Sequence, residues 1–357
     1  MRAAVLLRPG TIELQDLPLP MPSPGGIVVK VRAALTDGTD FKAFRRGHPR
    51  MPMPTRFGHE FSGHVVALGV PQGVTSIPAA EGERPLELGD PVMCVHTAPC
   101  GKCYWCKRGQ EELCETIMST MILGAYAEYI AIPERIVRTN CYRIPRSLYG
   151  YPEGVSYVAA AFLEPLSCVV HSLDLLNCRP GDTALIIGDG GFGLLHAMLL
   201  KQAGATVLLA GRREVRLAIA RDVGIEAINS RSQNVGDEIR KRTDGRGADF
   251  VIECTGREEV WEAAPDLTRR GGTVSFFGGL PADAKALFTA SRLHYDEIRL
   301  ISPFHFTPAA VKRARDLLAE KKIDPLPLIT ETVPLAEIAT VFERLKNGEG
   351  IKFAITP

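Results

Sequence analysis

The sequence predicts an α/β protein in which a doubly wound parallel sheet is joined to a second, mostly β domain. Three observations carry that prediction. Thr183-Ala184-Leu185-Ile186-Ile187 is an apolar run too short for a helix and is followed by Gly188-Asp189-Gly190-Gly191-Phe192-Gly193; from Leu194 to Ala203 the chain is then largely apolar and free of breakers. Strand, G-x-G-x-x-G and helix in that order are the context in which a glycine pattern reads as a dinucleotide site. Next, 357 residues are more than one core usually supports. Lastly, strand–helix alternation begins only near Pro165, and the chain before it reads as short strands with Pro- and Gly-rich connections.

Composition narrows the classes of function. Apolar content of 45% is that of a globular protein, and a net charge of +1 gives no electrostatic case for nucleic acid or an acidic membrane. No apolar run approaches the roughly 18 residues of a membrane span. The stretch from Met1 to Arg8 reads as a first strand rather than a signal peptide. Nine cysteines without an export signal favour metal ligation over a disulfide framework, and a cytoplasmic protein is expected.

In chain order, Ile27 to Ala34, His64 to Leu68 and Asp90 to Val95 read as strands, and Val70 to Leu88 as a surface loop rich in Pro, Gly and Glu. Two constellations lie in this region. The dispersed one is Asp37-Gly38-Thr39-Asp40, Gly58-His59-Glu60 and, further on, Glu164-Pro165. Singly these are turns and solvated polar pairs; together they offer oxygen and nitrogen ligands suited to a zinc that keeps an open position. The compact one is Cys100, Cys103, Cys106 and Cys114, within a lobe spanning about 94–116. Four thiolates so close suit one tetrahedral zinc, with an iron–sulfur cluster as the competing reading. Lys102, Lys107 and Arg108 between them make a poor core segment, and full thiolate ligation leaves no place for substrate, so a structural metal is expected. Cys94, Cys141, Cys168, Cys178 and Cys254 show no pairing pattern and read as small buried apolar residues.

Past Pro165, strands at Thr183 to Ile187, Ala205 to Ala210, Ala248 to Glu253 and Gly272 to Phe277 alternate with helices. Each ends on small residues, where an open parallel sheet binds its ligand; Thr255, after the third of them, belongs to that ligand-binding rim. Gly188 permits the tight turn, Gly190 lets the backbone approach a pyrophosphate and Gly193 lets helix and strand pack, with Gly191 and Phe192 opening the helix whose N–H groups face the phosphates. The place of the usual ribose-binding acid is Gly211, followed by Arg212 and Arg213. Two guanidiniums without a carboxylate there favour a 2′-phosphate, so NADP is expected to be preferred, with NAD the alternative. From about Phe304 a helix, a strand, a helix and the strand Ile351 to Ile355 carry no glycine fingerprint. The expected division is 1–165, 166–304 and a return to the first domain over 305–357.

Through Gly58-His59-Glu60, the four-cysteine lobe, Gly124 to Tyr129, Glu164-Pro165-Leu166 and the glycine turn, the whole chain resembles the zinc-dependent medium-chain alcohol dehydrogenases, on the sorbitol, threonine and glucose dehydrogenase side of that family. The resemblance implies a Rossmann cofactor domain beside a GroES-like, partly open β-barrel catalytic domain. It implies hydride transfer between NAD(P) and a secondary alcohol of a sugar, polyol or cyclitol, and a homodimer or homotetramer. Asp37, His59 and either Glu60 or Glu164 match the ligands of the catalytic zinc, Thr39 the hydroxyl that passes on the alcohol proton, and Asp40 the carboxylate that orients His59. The departure is Asp37, where the usual residue is cysteine. A run of Arg45, Arg46, His48, Arg50 and Arg56 reads either as a contact for an acidic substrate or as a solvated loop. Two other classes stay open: a zinc-free NADPH-dependent reductase, and a redox sensor that holds NADPH and zinc without turnover.

Overall fold

The computed structural model describes residues 1–48, 51–145 and 155–357, and the chain divides into two compact units, Met1–Ser167 with Phe306–Pro357, and Cys168–His305. In the first unit, among the described residues, a seven-stranded sheet runs in the order Cys141–Arg143, Pro91–Cys94, Glu60–Leu68, Ile27–Leu35, Lys352–Thr356 and Ile329–Pro334, with Tyr129–Ile132 also paired to Ile27–Leu35. Ile27–Leu35 is rich in valine, and its buried faces make it the spine of the sheet. A smaller sheet pairs Arg2–Arg8 with Thr11–Asp16 and Thr55–Arg56. The core is aromatic: Phe57 lies 5.3 Å from Phe342 and 5.7 Å from Tyr126 between ring centroids, and all three are fully buried. The last strand slots in beside Ile27–Leu35, pairing Ala354 with Leu35, so residues more than 300 positions apart in sequence become neighbours.

Two expectations change here. Val70 to Leu88 is not wholly loop: Ser76–Ile77 and Leu86–Glu87 pair antiparallel, with Ile77 and Leu86 buried in the core. Each of these strands is two residues long, too short to show a period. Cys94 and Cys141 are not unpaired apolar residues. They face each other in the antiparallel ladder, with Cα atoms 4.3 Å apart, and form a disulfide. A separation of 47 residues carries no signature of such a pair.

The second unit holds six parallel strands among its described residues, in the order Glu226–Asn229, Thr206–Gly211, Thr183–Ile187, Ala248–Glu253, Thr268–Phe276 and Arg299–Ile301. The chain starts in the middle, winds outward one way and returns to wind the other way, so the glycine turn after Ile187 stands at the switch point where such sheets bind ligands. Helix Gly191–Gln202 follows with Gly190 at its N-cap. Gly193 is glycine for contact: a Cβ there would lie 1.9 Å from the carbonyl oxygen of Gly188. Among the described residues no helix is long and apolar enough to cross a membrane.

Candidate active site and metal centres

Sheet register builds the first cluster. Leu35 pairs with Glu60, so Thr36 and Asp37 leave their strand beside His59. Phe61 pairs with Cys94, and continuing that antiparallel count sets His59 opposite His96, their rings 4.8 Å apart. Glu164 enters from the first turn of helix Leu163–Leu176. Asp37, His59 and Glu60, and equally His59, His96 and Glu164, bring one ligand atom each within 4.8 Å of one another, and all five residues are buried. His59 Nε2 stands 3.7 Å from Asp37 Oδ2, so the imidazole and the carboxylate face each other in the cluster.

The other side of the imidazole is fixed. His59 Nδ1 lies 3.0 Å from Asp40 Oδ1, and Tyr126 Oη donates to Asp40 Oδ2 at 2.6 Å and to the carbonyl of Leu35 at 2.9 Å. A carboxylate at Nδ1–H turns Nε2 toward the cluster as an electron-pair donor, the arrangement that orients metal-bound histidines. Burial alone pushes His59 down, but Asp40, Glu164 and Asp37 outweigh it and hold its pKa well above the ordinary value. The Asp37 carboxyl is held low: burial works to raise it, and His59, Lys352 and the N–H groups of Thr39 and Gly38 prevail.

The residues fit a divalent cation on one direct observation. Asp37 Oδ2 accepts from the Thr39 N–H at 2.6 Å, whereas Asp37 Oδ1 is buried with no hydrogen-bond partner. A buried, unpartnered carboxylate oxygen carries its full desolvation cost, which a coordinated cation removes. Glu60 is differently placed. Lys352 Nζ donates to both its oxygens, at 2.7 and 2.5 Å, and to the Thr36 carbonyl at 2.8 Å. Burial, with Asp37 and Glu164 adding repulsion, still drives the Glu60 carboxyl well up despite that ammonium group. His96, Lys352 and Tyr126 were missed in the sequence. The one available signal was a lysine in the otherwise apolar run Ile351 to Ile355.

Cys100, Cys103, Cys106 and Cys114 converge with sulfur separations of 3.5 Å (Cys103–Cys106) and 4.0 Å (Cys100–Cys106). A tetrahedron with zinc–sulfur bonds of about 2.3 Å needs sulfurs about 3.8 Å apart, so the lobe fits that ion closely. N–H groups of Lys102 and Cys103 point at Cys100 Sγ, and Arg135 donates to Cys114 Sγ at 3.4 Å and to the Pro99 carbonyl at 2.8 Å. These donors stabilise thiolates, and Arg135 is a further residue the sequence did not reveal.

In the second unit, Gly190 has open space where a side chain would stand. Thr255 is held by Glu253, whose Oε1 accepts from Thr255 N at 2.5 Å and Gly256 N at 3.0 Å, and also from the Thr255 hydroxyl. Gly211 closes its strand as expected, and Arg212 and Arg213 lead into helix Glu214–Asp222. The position is not free of carboxylate, however. Asp189, from the glycine turn, accepts from the N–H groups of both Arg212 and Arg213 at 2.8 Å. Of the basic run, Arg45 and Arg46 are exposed in the last turn of helix Gly38–Arg46, where the dipole favours cations. Arg56 is exposed on a two-residue strand, and Arg50 lies outside the described residues.

Residues 23–145 match the alcohol dehydrogenase GroES-like domain, and residues 191–320 match the zinc-binding dehydrogenase family. A sorbitol dehydrogenase of Halalkalibacterium halodurans is 32% identical over 100% of this chain and 99% of its own length. A D-altritol 5-dehydrogenase of Agrobacterium fabrum is 30% identical over 96% of each. Among solved structures, a protein from Sinorhizobium meliloti 1021 described as a zinc-binding dehydrogenase, bound to NADP, superposes with a TM-score of 0.84 at 28% identity, covering 100% of this chain and 99% of that one. Fold and site thus define a two-unit oxidoreductase with a doubly wound dinucleotide-binding sheet. The chain belongs to the zinc-binding, medium-chain alcohol dehydrogenase family.

Proposed function

We propose that this chain is a zinc-dependent dehydrogenase that moves a hydride between the secondary hydroxyl of a sugar, polyol or cyclitol and NADP, with NAD as the alternative cofactor. The observation that carries the reading is the pair of buried groups that share His59, Asp37–His59–Glu60 and His59–His96–Glu164, with Asp37 Oδ1 left without a protein partner. Sugar- and polyol-directed relatives and the NADP-bound structural relative support the substrate class and the cofactor.

Zinc at this cluster supplies Lewis acidity that lowers the pKa of a bound hydroxyl, and the nicotinamide supplies the hydride acceptor or donor. In our assignment Asp37, His59 and Glu164 hold the metal. Glu60 stays with Lys352, because coordination would cost it part of a buried ion pair. Asp40, itself gripped by Tyr126, holds the His59 ring so that Nε2 faces the cluster. Thr39, half-buried two residues past Asp37, carries the hydroxyl that hands the alcohol proton outward. Cys100, Cys103, Cys106 and Cys114 hold a second, structural zinc. Gly188, Gly190, Gly191, Phe192 and Gly193 cradle the pyrophosphate, and Gly211, Arg212, Arg213 and Thr255 line the remaining cofactor surface. A homodimer or homotetramer belongs to the same proposal.

The zinc-free reductase has no use for two convergent metal clusters, and the sensor leaves the Asp40–His59–Asp37 arrangement without a task. One experiment tests the set: metal analysis, together with nicotinamide absorbance on a panel of sugars and polyols with both cofactors, with and without added zinc. Near two zincs per chain and alcohol-dependent reduction are expected. One zinc and no reduction on any substrate would overturn the proposal.

A further inference from the structure

We propose that Asp189 is the residue that reads the 2′ position of the adenosine ribose, supplying from the glycine turn the carboxylate that NAD-binding sheets usually carry at the end of their second strand. The inference rests on the reading of the second unit as a nicotinamide dinucleotide site.

Space is the first argument. Gly211 ends the strand Thr206–Gly211, at the place of the usual ribose-binding acid. A Cβ at Gly211 would lie 2.5 Å from Asp189 Cβ and 2.6 Å from Asp189 Oδ2. Contacts that short do not occur, so a side chain at 211 and a carboxylate at 189 exclude each other. The glycine at 211 is therefore not an empty position; another residue's acid fills it.

Orientation is the second. The Asp189 side chain is mostly buried and is pinned by two N–H donors, Arg212 N and Arg213 N, both 2.8 Å from Oδ2. Two charge-assisted bonds from consecutive backbone groups fix the rotamer before any ligand arrives. Oδ1 is the oxygen turned toward Arg216, whose guanidinium stands 3.9 Å away. A carboxylate held this way accepts a hydrogen bond from a ribose 2′-hydroxyl.

Charge is the third. A 2′-phosphate in the same place meets one fixed carboxylate and the guanidinium of Arg216, with the charge of Arg213 close enough to act on Arg216. Burial, with Arg213 beside it, pushes the Arg216 pKa down to about 10 against the pull of Asp189, and an added anion between these cations is favoured. The arginines favour NADP and Asp189 opposes it, and the two together leave both cofactors usable. Asp189 is thus the brake on NADP preference, and removing its charge while keeping its shape releases the brake.

The test uses the full-length zinc-loaded protein and direct binding as well as turnover. Dissociation constants of NADP, NAD and adenosine 2′,5′-bisphosphate are measured by calorimetry for the wild type and for Asp189→Asn, whose amide oxygen still accepts from Arg212 N and Arg213 N. The ratio of NADP to NAD affinity is expected to rise about tenfold, with adenosine 2′,5′-bisphosphate tightening in parallel. A rise below fivefold, or a shift toward NAD, overturns the proposal. Should Asp189→Asn fail to fold, the double variant Asp189→Gly with Gly211→Asp decides: returning the acid to the strand end keeps the wild-type ratio within fivefold, and a larger rise toward NADP overturns the role. If the wild type binds neither dinucleotide, the cofactor reading itself fails. If it binds both and the ratio stays put in Asp189→Asn, only the role of Asp189 fails.

Discussion

Lys352→Met is the substitution whose consequence the structure defines most closely. Lys352 is 3% exposed and Glu60 is fully buried, and the ammonium group donates to both carboxylate oxygens and to the Thr36 carbonyl. Methionine keeps most of the stem volume, so packing changes little while the charge disappears. Glu60 is then a buried carboxylate facing Asp37 and Glu164, both of which repel it. Breaking one side of a buried ion pair costs about 3–5 kcal/mol, whereas replacing both partners by apolar residues is often neutral or better. Lys352→Met alone is therefore expected to lose about 3–5 kcal/mol, and Glu60→Leu with Lys352→Met to recover at least about 2 kcal/mol of that loss. Denaturant unfolding at a fixed zinc concentration, followed by a probe in the first unit, measures both. A loss below about 1 kcal/mol for Lys352→Met, or a double variant as unstable as the sum of its singles, would refute the claim that the pair is buried and mutually dependent.

Two further outcomes follow from other parts of the fold. Arg135→Gln removes the cation that donates to Cys114 Sγ and braces the Pro99 carbonyl, and such outer-shell losses cost about 10–100-fold in metal affinity. Competition for zinc with a chromophoric chelator reads it, and unchanged affinity at the cysteine lobe would count against the role. In the second unit, burial holds the His196 pKa down to about 4, against 6.5 for an ordinary histidine, with Nδ1–H directed at the Phe192 carbonyl and Nε2 facing Ser172. A depressed histidine binds its proton in the unfolded chain first. Its contribution is thus complete above about pH 6.5 and is lost as pH falls toward 4, up to about 3 kcal/mol. His196→Gln should flatten the stability–pH curve of this unit between pH 6.5 and 4. A curve parallel to that of the wild type would show that His196 does not titrate as described.

Local information made the second unit readable. A strand, three glycines and a helix are consecutive in sequence, and the parallel order follows from strand–helix alternation. The cysteine lobe was equally plain, because its four thiols fall within 15 positions and their sulfurs converge. The first cluster was only partly visible. Asp37, His59 and Glu60 stood out by type, but the neighbours that tune them arrive through register: His96 from a ladder partner, Tyr126 from a loop, Lys352 from the last strand. A lysine in the apolar run Ile351 to Ile355 marks position 352, but the run does not name the glutamate that seals it. Asp189 was hidden for a different reason. It stands in a variable position of a motif read for its glycines, and only the geometry brings it over Gly211.

Asp37 in place of the usual cysteine is best understood through the helix it starts. Thiolate and carboxylate carry the same charge, so with His59 neutral and Glu164 ionised, a dication leaves the ligand set uncharged either way. What differs is the number of donor atoms. Asp37 is extended at φ −128° and ψ 159° and is the N-cap of helix Gly38–Arg46, where Oδ2 takes the Thr39 N–H while Oδ1 remains for an ion. An N-cap of this kind contributes about 1 kcal/mol, and a thiolate, with a single sulfur, has to serve cap and metal with one atom. Thr39 and Asp40 ride on the first turn of the same helix, and Asp40 is the group that sets the His59 ring. In the proposed site the harder ligand would therefore tie metal, proton-carrying hydroxyl and imidazole orientation to one short helix, and a displacement of that helix would be felt by all three.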